Sequence, residues 1–334
     1  MNHPIQELAQ SAELFAPFTG VFDEAGLRSW LARELTPPPG TRFLYPETIV
    51  HIISGNTPHA AWQSLLAGLL LGSKNRLKLP SNALSDFEKE MARLPLPLRE
   101  KIETSRLLPD DWITTADALI VYGNDATLSH FRNLAPLEIP FIAHGHRVGV
   151  ALIEDPSEEA ARLAAQDIYE FDQNGCLSLQ TIYVNDPRAF APLLAAELEK
   201  APPRAALSAS EHGAISNLRL ETRYLAAQDP ENHALWQSEN STTWTIILRD
   251  TTGLEPSPGN RTVFLKPLSR FQNSRHLSGI GLHPFKDRPE LPSPRLFPLG
   301  QAQDPGFAWA HDGLQTLRSL TRLQTSEKNT HPHQ

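Results

Sequence analysis

The chain holds a single cysteine, Cys176, in the stretch Asp172-Gln-Asn-Gly-Cys-Leu-Ser178. A thiolate is an intrinsically strong nucleophile suited to carbonyl carbons, and Gly175 clears side-chain bulk from beside it. A cysteine taken alone is more often a small buried apolar residue. The polar approach through Asp172, Gln173 and Asn174, with Ser178 beyond, is a poor match to a core and favours an accessible turn. Asn56 stands in Gly55-Asn-Thr-Pro58, directly after the β-branched run Glu47-Thr-Ile-Val-His-Ile-Ile53. At the end of a strand its amide could donate to a developing oxyanion, although Gly-Asn-x-Pro is also ordinary turn chemistry.

Three further places carry reactive or ligand-binding types. Lys78 alternates with Leu77 and Leu79 and could reach a ribose or a phosphate; a lysine kept for solubility on an edge strand is the other reading. Gly123 and Asn124 lie between the strand Asp117-Ala-Leu-Ile-Val-Tyr122 and a helix, where backbone can approach a cofactor closely. This is not the Gly-x-Gly-x-x-Gly fingerprint of dinucleotide binding. His144 and His146 flank Gly145 and could move protons near neutral pH. They look like a metal pair, but no third ligand stands at a convincing spacing, so no metal is expected. Neither a serine nucleophile elbow nor a Walker loop is present.

These residues need a scaffold, and the pattern supplies one. Glu24 to Leu35 reads as an amphipathic helix, stopped by Pro37, Pro38 and Pro39. The run 47–53 reads as a buried strand, then a helix with Thr57 as cap and Pro58 at its first position. Asn75 to Leu79, Asp117 to Tyr122, Phe141 and Val148 to Ile153 follow as strands. Asp155 and Pro156 open a helix with Ala160, Leu163, Ala164, Ile168 and Phe171 as its inward stripe. Strands at 181–184, 243–248 and 262–265 alternate with helices near 188–200 and 208–227. Such alternation predicts α/β architecture with parallel sheets. The tail from Thr325 is polar and expected to fray.

Composition narrows the partners. With 40% hydrophobic and 20% charged residues, a net charge of −8 and no basic run, nucleic acid and anionic membrane surfaces are disfavoured. No stretch reaches the ~18 apolar residues of a membrane span. Met1 to Gln10 is polar where a signal peptide needs an apolar core. One cysteine permits no internal disulfide, so a cytoplasmic setting is expected.

Taken in order, the fragments resemble the LuxC-type acyl-CoA reductases, a branch of the aldehyde dehydrogenase superfamily. The matching stretches are His51 to Pro58, Gly72 to Pro80, Asp117 to Gly123, Ala143 to Arg147 and Asp167 to Val184. Asn260 to Phe264, Arg295 to Gly300 and Trp309 to Gly313 complete the series. The resemblance implies an aldehyde dehydrogenase-like α/β fold of two Rossmann-related domains with the active site between them. The nicotinamide-binding domain would comprise 1–147 plus about 290–334, and the catalytic domain 148–289. Cys176 falls on the family's acylated cysteine, Asn56 on its oxyanion donor, Lys78 on its cofactor-contacting lysine, and Gly123 and Asn124 on the turn near the nicotinamide.

The implied chemistry is NADPH-dependent reduction of a long-chain acyl-CoA or acyl-carrier thioester to the aldehyde. An acyl-protein synthetase partner and a homo-oligomer are implied with it. Oxidising aldehyde dehydrogenases place a glutamate before the Gly-Gly of the segment matching Ala143 to Arg147, to activate water. Here that segment has no carboxylate, which would spare a thioester from hydrolysis, and His144 or His146 is left as the candidate for proton transfer. Two other readings use the same residues. One is acyl transfer or thioester hydrolysis with a vestigial cofactor domain; the other is a non-catalytic partner subunit of a synthetase.

Overall fold

The strand–helix alternation closes into two parallel sheets in a computed structural model that describes residues 4–53, 58–81, 84, 86–291 and 293–325. The chain divides into two units, Met1–His146 with Pro305–Gln334, and Arg147–Asp304. The second break was expected near 290. It falls later because the short strand at 296–298 completes the second unit's sheet.

In the first unit, β1 is Thr41–Leu44, β2 Thr48–Ile52, β3 Lys74–Lys78, β4 Ile102–Ser105, β5 Ala118–Tyr122 and β6 Phe141–His144. The last five form one parallel sheet in the order β4-β3-β2-β5-β6. The helix Pro58–Leu70 follows β2, and its Ala61, Leu65, Leu66 and Leu69 are fully buried. Its buried glycine is a necessity: a Cβ on Gly68 would lie 1.8 Å from Asn75 Oδ1.

Asn75 is held there by a buried polar chain. Its Nδ2 donates to Ser73 O (2.8 Å), which leaves Oδ1 to accept from His51 Nε2 (3.0 Å). His51 Nδ1 is then the acceptor for the Ser64 hydroxyl at 2.6 Å. Both ring nitrogens are satisfied by a neutral imidazole, and burial lowers the His51 pKa to about 4. An unfolded imidazole keeps a pKa near 6.5, so between those values the unfolded chain binds the extra proton. The His51 contribution to stability is therefore full above about pH 6.5 and falls by about 3 kcal/mol as pH drops towards 4. His59, also lowered to about 4 by burial, acts in the same direction. Urea midpoints from pH 7 to 4 should fall less steeply in a folded His51→Gln variant than in the parent. Equal slopes would remove His51 from the account.

In the second unit, β7 is Val148–Ile153, β8 Leu179–Val184, β9 His233–Gln237, β10 Thr245–Arg249, β11 Thr262–Pro267, β12 Leu277–His283 and β13 Leu296–Pro298. Their order is β13-β12-β7-β8-β11-β10-β9, and only β9 runs antiparallel to its neighbour. The helix Glu158–Tyr169 is capped by Ser157, whose hydroxyl accepts from Ala160 N. Ala160, Ala161, Ala164, Ala165 and Ile168 bury its inner face. Phe171, expected on that stripe, is instead exposed, because the chain leaves the helix at Glu170 and turns left-handed. The final strand, β14 Arg322–Thr325, belongs to the first unit and pairs antiparallel with β1. Among the described residues no helix is long and apolar enough to cross a membrane.

Candidate active site

Cys176 is exposed on the turn between the helix Glu158–Tyr169 and β8. The turn has an unusual backbone. Phe171, Asp172 and Gln173 are consecutive non-glycine residues with φ of 52°, 50° and 63°, each in a region that costs ~1–2 kcal/mol for an L-residue. Asp172 Oδ1 accepts from Arg261 Nε (2.9 Å) and pairs with its terminal Nη2 at 2.7 Å, while Oδ2 accepts from Ala205 N (3.2 Å). Gln173 is buried and bridges: Nε2 donates to Leu179 O at 2.6 Å, and Oε1 accepts from Thr262 N at 2.8 Å. The polar approach to the cysteine read in the sequence is thus an anchorage of the loop.

The other side of the turn is held as firmly. Ser178 N donates to Gly175 O (3.1 Å), and Ser178 Oγ accepts from Gln303 Nε2 (2.8 Å). The Gln303 amide would lie within 3.2 Å of any Cβ at Gly175, so the glycine beside the thiol is where a side chain packs close. Gln303 is delivered by a turn docked on the helix: Asp167 accepts from Gly300 N (2.8 Å) and Ala302 N (2.9 Å). Burial pushes Asp167 up to about 7, against the pull of those donors and of Arg295. From the sheet side, Gly149 N donates to Ser178 O (3.2 Å), and β7 there shifts register against β8.

In the first unit the C-terminal ends of the parallel strands bring Lys78, Gly123, Asn124 and His144 to one sheet edge. Lys78 ends β3, which lies between β4 and β2, so the edge-strand reading of this half-buried lysine does not hold. Gly123 N donates to His144 O (3.1 Å), and a Cβ at Gly123 would come within 2.7 Å of Thr127 Cγ2. The Asn124 amide oxygen caps the helix Asp125–Leu134, accepting from Thr127 N (2.9 Å) and Oγ1 (3.0 Å). That side chain therefore has a structural task. Asn56, and Thr57 with it, lies outside the described residues.

The two histidines of the Ala143 to Arg147 segment part company. His146 is exposed, whereas His144 is buried and bonded through Nδ1 to Asp312 Oδ2 at 2.9 Å. Both side chains of that pair are 4% exposed. His144 is also a member of a four-ring stack: Tyr122 at 4.6 Å, His311 at 3.9 Å, then Trp309 on His311 at 4.5 Å. His144, His311 and Asp312 gather their ligand atoms within 4.8 Å, a grouping the sequence spacing did not reveal. The stack is against a shared ion. A metal ~2 Å from a nitrogen of each imidazole must lie in both ring planes, and planes only 19° apart with centres 3.9 Å apart do not meet so near. A segment without a carboxylate thus acquires one through the tertiary fold. Trp309-Ala-His-Asp-Gly313 was legible only as a motif without a task.

A model of the acyl-CoA reductase (LuxC) family matches residues 25–323. The long-chain acyl-protein thioester reductase of Aliivibrio fischeri is 23% identical over 317 residues, covering 84% of this chain and 64% of that one. The protein of the same description from Vibrio harveyi is 21% identical with the same coverage. The chain thus spans less than two-thirds of the length of these relatives. Among solved structures, the gamma-glutamyl-gamma-aminobutyraldehyde dehydrogenase of Burkholderia cenocepacia J2315 matches with a TM-score of 0.65 at 11% identity, covering 96% of this chain and 81% of that one. The NADP-dependent glyceraldehyde-3-phosphate dehydrogenase of Bacillus halodurans C-125, solved with NADP, gives 0.63 at 11% identity, covering 96% and 78%. These likenesses establish the aldehyde dehydrogenase fold, and the match over most of its length places the chain in the acyl-CoA reductase (LuxC) family.

Proposed function

We propose that this chain carries out NADPH-dependent reduction of long-chain acyl thioesters to aldehydes through a thioester on Cys176. The observation that carries the reading is an exposed thiol on a turn anchored from both flanks, in a chain of this family. The Cys176 thiolate forms a bond to the acyl carbonyl carbon, the donor's C–S bond breaks, and the departing thiolate takes up a proton. The Asn56 amide and the Cys176 backbone N–H are the donors we assign to the oxyanion. A nicotinamide cofactor, when bound, would supply the hydride that reduces the Cys176 thioester at its carbonyl carbon. The resulting thiohemiacetal breaks its C–S bond, giving aldehyde and the regenerated thiolate.

Lys78 and the backbone at Gly123 and Asn124 are the residues we assign to holding the cofactor. The fit is supported by their common place at the C-terminal ends of neighbouring parallel strands. The Lys78 cation suits a phosphate-bearing ribose, which favours NADPH. Of the two imidazoles considered for proton transfer, His146 is the one exposed to solvent, while His144 is tied to Asp312. The curated relatives are described as acting on acyl-protein thioesters, which supports a protein-borne donor and a synthetase partner for this chain too.

The test is a mass measurement in two steps. Mixed with a long-chain acyl thioester and no cofactor, the protein should gain one acyl group on the peptide containing Cys176. Added NADPH should discharge it as aldehyde with one cofactor oxidised per acyl group. Discharge as free acid without oxidation of NADPH would replace this reading with acyl transfer, and absence of any adduct would favour a non-catalytic subunit. Acyl-CoA and an acylated protein thiol, compared as donors, separate the two sources.

A further inference from the structure

Two left-handed segments of the second unit grip each other, and the first of them ends three residues before Cys176. Phe171, Asp172 and Gln173 form one, and Asn260 and Arg261, with φ of 53° and 63° after Gly259, form the other. Five non-glycine residues in that region are costly, and such strain persists only where the surroundings over-determine it. Here each segment is held by the other and by neighbours such as Leu179, Pro202 and Ala205. The Arg261 side chain is 3% exposed and the Asp172 side chain 18%, so the ion pair is largely shielded from water. Arg261 also donates to Pro202 O (2.8 Å), fixing its fork while Asp172 occupies its other edge. Gln173 adds the second tie, to Thr262 N, one residue beyond Arg261.

The geometry points to Arg261 as a positioning residue for Cys176, acting through Asp172 to hold the left-handed turn that aims the thiol. Neither side chain is assigned contact with substrate. The inference rests on the reading of Cys176 as the acylated nucleophile. What the clasp fixes is orientation, and misplacement by about an ångström is enough to cost a reaction on the order of 100-fold.

Glycine separates orientation from strain, because it accepts positive φ freely. Phe171→Gly relaxes the turn and keeps the clasp; its acylation rate should stay within about twofold of the parent. Asp172→Gly relaxes the turn equally and removes the clasp. Its acylation rate at saturating thioester should fall roughly 10- to 100-fold, with little change in the half-saturating concentration. Alkylation by iodoacetamide, which needs only an accessible thiolate, should change less than about threefold. Folded Asp172→Gly protein acylating at the parent rate would overturn the inference. So would alkylation falling as far as acylation, since the thiol would then have been lost from the surface rather than misaimed. Should Asp172→Gly fail to fold, Arg261→Lys keeps the charge but not the planar fork; the same split is expected, and an unchanged acylation rate would be equally fatal. Failure of the underlying reading is visible separately, in the parent protein, as acylation anywhere other than Cys176.

Discussion

Cys176→Ala should abolish acyl adduct formation and lower thioester reduction by at least about 10⁴-fold, the scale seen when a covalent nucleophile is removed. The loss should be almost wholly in turnover, because the part we propose for the thiol is to form and break a bond rather than to hold the acyl chain. Cys176 is exposed and its neighbours are anchored through other residues, so the variant should fold, with a thermal midpoint close to the parent's. Single-turnover aldehyde formation, followed by mass spectrometry and cofactor absorbance, is the measurement. Residual reduction within tenfold of the parent would mean that acyl groups reach the hydride without passing through this thiol.

The second large effect comes from a residue with no chemistry of its own. Gly149→Ala would place a Cβ 2.6 Å from Leu177 O and 2.8 Å from Ser178 O, both backbone atoms immediately after Cys176. Neither atom is the yielding end of a flexible side chain. Gly149 also lies on β7, in the interior of the sheet, and donates to Ser178 O. Either the start of β7 or the turn must move. Overpacking of this kind costs ~1–3 kcal/mol, and the melting midpoint should fall by several degrees. Because the turn carries Cys176, acylation should fall by about 10-fold or more in the protein that remains folded. Thermal unfolding and acylation rate measured on the same preparation check both halves; an unchanged acylation rate would show that the strand, not the turn, gives way.

Local signals were strong where the chain obeys short-range rules. The β-branched run at 47–53, the proline at the first position of the helix Pro58–Leu70 and the alternation around Leu77 and Leu79 each read directly as the elements observed. Cys176 stood out because it is alone and has polar neighbours. The expectations that failed depended on what lies across space. Phe171 continued a helical stripe by spacing, but the chain had already left the helix to meet Arg261. The edge-strand alternative for Lys78 failed because nothing local announces β4, which arrives 24 residues later to cover β3. The domain break near 290 missed β13, a strand of three residues too short to carry a pattern.

The sequence by itself determined the class of the fold, the family and the thiol, since periodicity, turn residues and ordered motifs all act within a few residues of chain. Only the tertiary structure decided what anchors the turn that carries that thiol and what surrounds His144. Arg261 lies 89 residues from Asp172, and Asp312 lies 168 from His144. A buried charge or imidazole is defined by the partner that satisfies it, and no spacing in the chain encodes a partner that far away. The glycines at 68 and 149 make the same point: each is fixed by atoms that folding brings within van der Waals reach.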